Sequence, residues 1–399
     1  MTMLRLFFAI GLLIAGAGSA CADPWTDVLA KARGQTVYWN AWGGDATTND
    51  FIAWVGRSVR DRYGVKVVEV KLADTADAVT RVLSEKSAGR NSGGTVDLVW
   101  INGANFAAMK RSGLLFGPFV QRLPNYIKVD VAGKPTTTTD FSVPVEGLES
   151  PWEMAQFVFL YDSARLPAPP RTLPALLDWT RQHPGRFTYP QPPDFIGLTF
   201  LKQVLVDSVA DRSALQQPAS DANFERVTAP LWNYMDELRP YLWRQGKAYP
   251  KSGPDQRQLL ADGEIDLALS FSPMEAATAI AQGLLPATAR VYVLDGGTIG
   301  NTNFVAIPFN ATAKEGAMVV ANFLLSPEAQ ARAQDPRYLG AFSVLDLGKL
   351  SSAERAPFAA IPSNPAVPNN RELGRPLLEP HESWMERIGR AWVSRYGAG

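Results

Sequence analysis

The feature that most constrains this chain is an alternation of short extended apolar runs with stretches of helical periodicity. Thr36-Val37-Tyr38-Trp39-Asn40-Ala41-Trp42 reads as a strand and stops at Gly43-Gly44-Asp45. Phe51, Ile52, Trp54, Val55, Val59 and Tyr63 then recur at helical spacing, and Gly64 closes that helix as a C-terminal cap. Residues 65–70 form the next strand, 77–86 the next helix and 96–101 the strand after it. Strands separated by helices pair in parallel, with the helices covering the faces of the sheet. Ligands of such sheets bind beyond the carboxyl ends of the strands. Those ends are the loops over 40–45 and 102–105, so Asn40, Trp42, Gly43, Gly44, Asp45, Asn102 and Asn105 are candidate ligand contacts.

Around Val143-Pro144-Val145-Glu146-Gly147 the character changes, and a second set of elements begins. Gln156-Phe157-Val158-Phe159-Leu160-Tyr161-Asp162 is an apolar strand, and Asp194 either caps a helix over 195–206 or faces a cleft. A later strand ends at Ser270-Phe271, and Ser272-Pro273-Met274-Glu275 carries the signals of a helix start. Residues 290–294 lead back toward the first set. The expected organisation is residues 1–22 as an export signal, 23–150 plus 298–399 as a discontinuous first lobe, and 151–297 as a second. The chain then passes between lobes near 145–155 and 293–303, which brings Asn301 and Asn303 to the meeting point.

The amino terminus fits export. One early charge, Arg5, precedes an uncharged apolar run, and Ala20-Cys21-Ala22 has the small-x-small pattern of a signal-peptidase site. Cleavage before Asp23 predicts a free periplasmic protein. A lipoprotein anchored through Cys21 is the weaker alternative, because Gly18 stands where such signals have leucine. Cys21 is the only cysteine, so the mature chain cannot rely on disulfides. Positive and negative residues balance at 39 each, which argues against a nucleic-acid surface, and no later apolar run is long enough for a membrane span.

Gly297-Thr298-Ile299-Gly300-Asn301-Thr302-Asn303-Phe304-Val305-Ala306-Ile307-Pro308, followed by Ala321-Asn322-Phe323-Leu324-Leu325-Ser326-Pro327-Glu328-Ala329-Gln330, resembles the return crossing and next helix of extracytoplasmic solute-binding proteins of ABC importers. That group includes the polyamine, ferric-iron and thiamine binders. Trp39-Asn40-Ala41-Trp42-Gly43-Gly44-Asp45, Lys71-Leu72-Ala73-Asp74-Thr75, Val145-Glu146-Gly147-Leu148-Glu149-Ser150-Pro151-Trp152 and Glu379-Pro380-His381 are similar to the YnjB family of ABC-transporter solute-binding proteins. The resemblance implies an α/β fold of the type II periplasmic-binding-protein kind. Each of two lobes would be a mixed, mostly parallel sheet flanked by helices, joined by a two-crossing hinge. It also implies a monomer that binds a small-molecule ligand and works with an ABC permease and, through it, an ATPase. Contact with the membrane would come only through the permease.

Trp42, Trp152, Glu146, Glu149 and Asp45 suggest a small organic cation of the thiamine kind, because an aromatic face and a carboxylate together replace lost hydration. The glutamates have the plainer alternative of solvation at a hinge, Gly43-Gly44-Asp45 that of a tight turn, and Asp194 that of a helix cap. Ser270 ends a second-lobe strand and Asn303 lies in the returning segment, both within reach of a cleft. A rival reading is a secreted carbohydrate-active enzyme, or a glycan-binding protein, using Glu146 and Glu149. Two distant histidines, His183 and His381, make neither a metal site nor a nucleophile–base pair, no cofactor motif is present, and the adjacent tyrosines of iron binders are missing.

Overall fold

The computed structural model describes residues 24–397, apart from residues 369 and 375. The expected export signal over 1–22 and its Cys21 lie outside the described residues. No helix among the described residues is long and apolar enough to cross a membrane.

The first unit begins with α1 (Pro24–Ala32), β1 (Thr36–Trp42), α2 (Ala46–Tyr63), β2 (Lys66–Leu72), α3 (Ala76–Ser87), β3 (Leu98–Ile101) and α4 (Gly103–Arg111). A two-stranded hairpin follows, β4 (Thr139–Asp140) and β5 (Val143–Pro144), and then β6 (Glu149–Gln156). The second unit holds β7 (Val158–Asp162), α5 (Leu173–Gln182), α6 (Phe195–Ser208), α7 (Asp221–Leu238), α8 (Gly253–Ala261), β8 (Leu267–Ser270), α9 (Glu275–Ala281) and β9 (Ala289–Tyr292). The chain returns through β10 (Gly300–Ala306), α10 (Lys314–Leu324), α11 (Pro327–Gln334) and α12 (Ser352–Ala359), and finishes with α13 (Asn370–Leu373) and α14 (Glu382–Tyr396).

The first sheet has the order β2-β1-β3-β10-β6, with β1 parallel to β2 and β3, and β10 antiparallel to β3 and β6. Period-two alternation decides its faces. Val37, Trp39 and Ala41 of β1 join a core with Val28, Phe51, Val55, Ala317 and Val320 from α1, α2 and α10. Val99 and Ile101 of β3 join another core with Ala78, Val82, Phe106 and Met109 from α3 and α4. The expected glycine cap of α2 is present, with Gly64 at φ +70°, and Asp45, read from the sequence as a turn or cleft residue, caps the other end by accepting from Thr48 N.

The second sheet has the order β8-β7-β9, and both of its strand pairs are antiparallel. Its parallel component is a single bridge, Phe187 to Leu267, so here the expected mostly parallel pairing gives way to antiparallel strands. Phe159 and Leu269 pack with Phe200, Leu201 and Val204 of α6, while Leu160 and Ala268 pack with Leu260 and Ala276.

The passages between units differ from the expected boundaries in two respects. First, Glu149–Gln156 belongs to the first sheet, because it pairs along β10, so the outward passage falls at Gln156 and Phe157. Second, the chain passes between units again after α12. Phe358 packs on the first core, but Ala366 and Val367 lie in a second-unit core. Trp384, Ile388, Trp392 and Tyr396 of α14 are likewise in the second unit, where Trp392 Nε1 donates to Tyr189 Oη at 2.9 Å. The three passages run side by side: Phe157 N donates to Ile299 O, and Leu377 N donates to Thr298 O, each at 2.8 Å. A one-sequence reading misses this because α14 is amphipathic and either core could take its apolar face.

Trp392→Ala therefore should destabilise the second unit by about 3–5 kcal/mol, the usual cost of emptying a buried tryptophan site. Urea unfolding followed by far-UV circular dichroism measures this. A change below about 1 kcal/mol, typical of a surface substitution, would show that α14 does not complete that core.

Candidate functional site

The carboxyl ends of the first-sheet strands meet the second unit along one seam. At that end β1 delivers Trp42, Gly43 and Gly44. Trp42 is half-buried, and its ring lies over Gly44, where a Cβ would come within 2.4 Å of Cζ2. A Cβ on Gly43 would stand 2.6 Å from the Lys71 side chain, so both glycines are dictated by close approach. Asp45 is occupied as the cap of α2 and accepts from both Thr48 N and Thr48 Oγ1. Asn40, one turn of the pleat earlier, is buried beneath the α3/α4 layer, and its Oδ1 has no hydrogen-bond partner.

β3 delivers Asn102, which sits at the start of α4 without capping it and instead donates from Nδ2 to Thr302 O at 2.7 Å. Asn105 is half-buried within α4. On the neighbouring strands, Asn303 pairs with Glu153 across β10 and β6 and donates to Glu153 Oε1 at 2.6 Å. The pairing then skips one residue, since Phe304 pairs with Pro151, so Trp152 is the extra residue of a β-bulge. Asn303 and Glu153 thus lie at one level of the sheet, and Asn102 follows Ile101, the β3 partner of Phe304.

Across the seam, the Phe271 carbonyl accepts from Gln156 N, three residues beyond Glu153 on β6. Phe195, at the start of α6, packs edge-on against Phe271 with centroids 5.1 Å apart. Asp194 caps α6 through Ile196 N and Gly197 N, and Ser270 Oγ donates to Glu275 Oε2 at 3.2 Å. Bridges between the units include Gln282 Nε2 to Thr47 Oγ1 and Ser272 Oγ to Gly340 O.

One end of the seam is closed by a buried charge cluster. Lys202 of α6 is 0% exposed, and its Nζ donates to Glu379 Oε2 at 2.7 Å. Asn301 Nδ2 donates to the other oxygen of Glu379 at 3.1 Å. The Phe141 and Phe195 rings flank the ammonium at 4.6 and 5.2 Å. Asp140, also buried, accepts from Gly103 N at 2.5 Å through one oxygen, while its other oxygen has no partner. Burial pushes the Asp140 carboxyl well above its ordinary range and pushes the Lys202 ammonium down, against the attraction of Glu379.

Several expected contacts lie elsewhere. Trp152 is fully buried in the first core, stacked on Phe51 at 6.0 Å and edge-on to Trp100 and Trp39 at 5.1 and 6.3 Å, so it does not line a cleft. The bulge that frees Glu153 is what turns Trp152 inward. Glu146 is exposed at φ +51° and ion-paired to Lys110 at 3.1 Å, whereas Glu149 is buried with neither oxygen hydrogen-bonded. These two carboxyls share no open space, which removes the geometric basis of an acid–base pair. Among the described residues no group of three His, Cys, Asp or Glu side chains is placed to hold a metal ion.

The sequence did carry a signal for Lys202, a lone charge in the apolar stretch Phe195-Ile196-Gly197-Leu198-Thr199-Phe200-Leu201 and Gln203-Val204-Leu205-Val206. Asp140 stands in a threonine-rich loop and carried none.

Burial lifts the Glu153 carboxyl from 4.5 to about 8, with the Asn303 hydrogen bond opposing the shift. The folded protein therefore holds this proton where the unfolded chain has released it. Its contribution to stability is complete below pH 4.5 and is lost as pH rises toward about 8, at roughly 1.4 kcal/mol per unit. Glu153→Gln should flatten the fall in stability between those limits. Urea midpoints across that range would read it, and an unchanged slope would refute the assignment.

Comparisons with known proteins bear on the family and the fold. Residues 59–356 match a family described as bacterial extracellular solute-binding protein. The chain is 44% identical over 388 residues to Protein YnjB of Escherichia coli strain K12, covering 97% of this chain and 98% of that one. Among solved structures, the periplasmic binding protein AfuA from Actinobacillus pleuropneumoniae, with fructose-6-phosphate bound, superposes at a TM-score of 0.62. The identity is 17%, over 92% of this chain and 99% of that one. A periplasmic thiamin binding protein gives 0.62 at 17% identity over 91% and 96%. The spermidine/putrescine-binding protein PotD from Streptococcus pneumoniae gives 0.62 at 13% over 91% and 100%.

Proposed function

Because the chain belongs to the bacterial extracellular solute-binding protein family, with YnjB as a close relative and a type II periplasmic-binding-protein fold, we propose that it captures a small organic cation between its two units and delivers it to an ABC permease. In this reading the chain is exported, works as a monomer, and meets the membrane only at the permease, whose ATPase drives uptake. Closure about the three side-by-side passages encloses the solute, since only the closed arrangement contacts it from both units.

The observation that carries the ligand class is Glu153. It is a nearly fully buried carboxyl at the seam, held by one amide, Asn303. A cationic group entering there replaces the proton of Glu153 as its counter-charge. Asp45, Asp194, Glu146 and Glu149 are spent on caps, an ion pair or the core, so the cationic reading now rests on Glu153 rather than on them. The relatives that bind thiamin or spermidine/putrescine are consistent with this class, while AfuA shows that the fold also accepts a sugar phosphate.

Thermal-shift titration with thiamine, putrescine, spermidine, amino acids and neutral sugars tests the proposal. A cation at about 100 times its Kd should stabilise the protein by about 2.7 kcal/mol. Glu153→Gln should weaken that ligand by about tenfold or more, through loss of a charge-assisted contact. Calorimetry in two buffers of different ionisation enthalpy should show proton release on binding. Stabilisation by a sugar or an anion alone, with no cation effective, would sink the ligand class and leave the transport role standing.

A further inference from the structure

The β4–β5 hairpin has a two-residue tip, Phe141-Ser142, with φ of +43° and +66°. Both residues are in the left-handed region, where such turns ordinarily carry Asn-Gly, and a phenylalanine there is strained. A strained tip persists only where its surroundings over-determine it. Here the surroundings come from both units. On the first unit's side, Asp140 accepts from Gly103 N at 2.5 Å, and the Phe141 ring lies so close to Gly103 that a Cβ there would sit 3.2 Å away. On the second unit's side, the Phe141 ring covers the Lys202 ammonium at 4.6 Å, and Ser142 Oγ donates to Gln216 Oε1 at 2.6 Å. Ser142 Oγ also reaches Glu379 O at 3.3 Å, and Gln216 Nε2 donates to the same carbonyl at 3.2 Å.

We infer that this tip is a clasp: Phe141 and Ser142 of the first unit grip Lys202, Gln216 and the segment around Glu379, and so set how firmly the two units stay together. The inference rests on the reading that the units close on a solute. Separating the units uncovers the Lys202–Glu379 pair to water, which satisfies both charges, and at the same time releases the strained tip. The clasp therefore opposes opening through a few specific contacts that can all be broken together, without unfolding either core.

Spin labels measure this directly. In a Cys21→Ser background, Asp61→Cys on α2 and Glu225→Cys on α7 place one label on an exposed position of each unit. Pulsed dipolar spectroscopy of the parent should give one narrow distance. Phe141→Leu, which keeps the apolar fill but loses the ring face, should raise a longer-distance population by about threefold or more. Gln216→Ala, at a half-buried side chain, is the second variant should Phe141→Leu fail to fold. Added putrescine or thiamine separates the two ideas. If either cation shifts the parent's distances while both variants match the parent, the clasp is wrong and the closing receptor survives. If neither cation nor variant moves the distances, the clasp and closure on these cations are both wrong.

Discussion

The antiparallel pairing of β10 on β6 is the interaction on which the rest of the structure depends. Seven pairs run from Gly300 with Gln156 to Ala306 with Glu149, interrupted by one bulge. This pairing completes the first sheet, and the same two strands continue out of it into the second unit. Both passages are therefore fixed by one ladder, and the carboxyl-terminal segment joins it through a single bridge of Leu377 to Ile299. The bulge lets β6 send Trp152 into an aromatic core while Glu153, the next residue, faces Asn303 at the seam. Without the extra residue, regular alternation would turn either the tryptophan or the carboxylate to the wrong side.

Much of this fold was legible in the sequence, and the reason is local. Strand–helix alternation over 36–101, the glycine cap at Gly64 and the aspartate cap at Asp194 depend on neighbours within a few residues. Family resemblance added the superfamily fold. Long-range features were less legible. Trp152 looked like a cleft residue because it stands among glutamates, yet a bulge decides its direction, and a bulge has no strong local signature. The assignment of α14 to the second unit depends on which core has room for three aromatics. At the site, Asn102 and Trp42 lie at the expected strand ends, while Asn303, expected in a returning loop, is within β10, and Lys202 and Glu379 are 177 residues apart in sequence. Only the tertiary fold brings such a pair together.

The chemistry of the seam differs from the chemistry of the cores, and that contrast bears on function. Within each unit, aliphatic and aromatic side chains are fully buried, and burial of this kind contributes about 25 cal/mol per Å². Between units the named bridges are polar: Thr47 with Gln282, Ser142 with Gln216, Ser272 with Gly340. A polar contact exchanges water for protein partners at a net gain of only about 1 kcal/mol. A buried ion pair such as Lys202 with Glu379 gains even less against its desolvation cost. Two apolar faces of similar extent would lock the units together whether or not a solute lay between them. A seam of exchangeable hydrogen bonds costs little to separate, which is what the proposed closure on one small ligand requires.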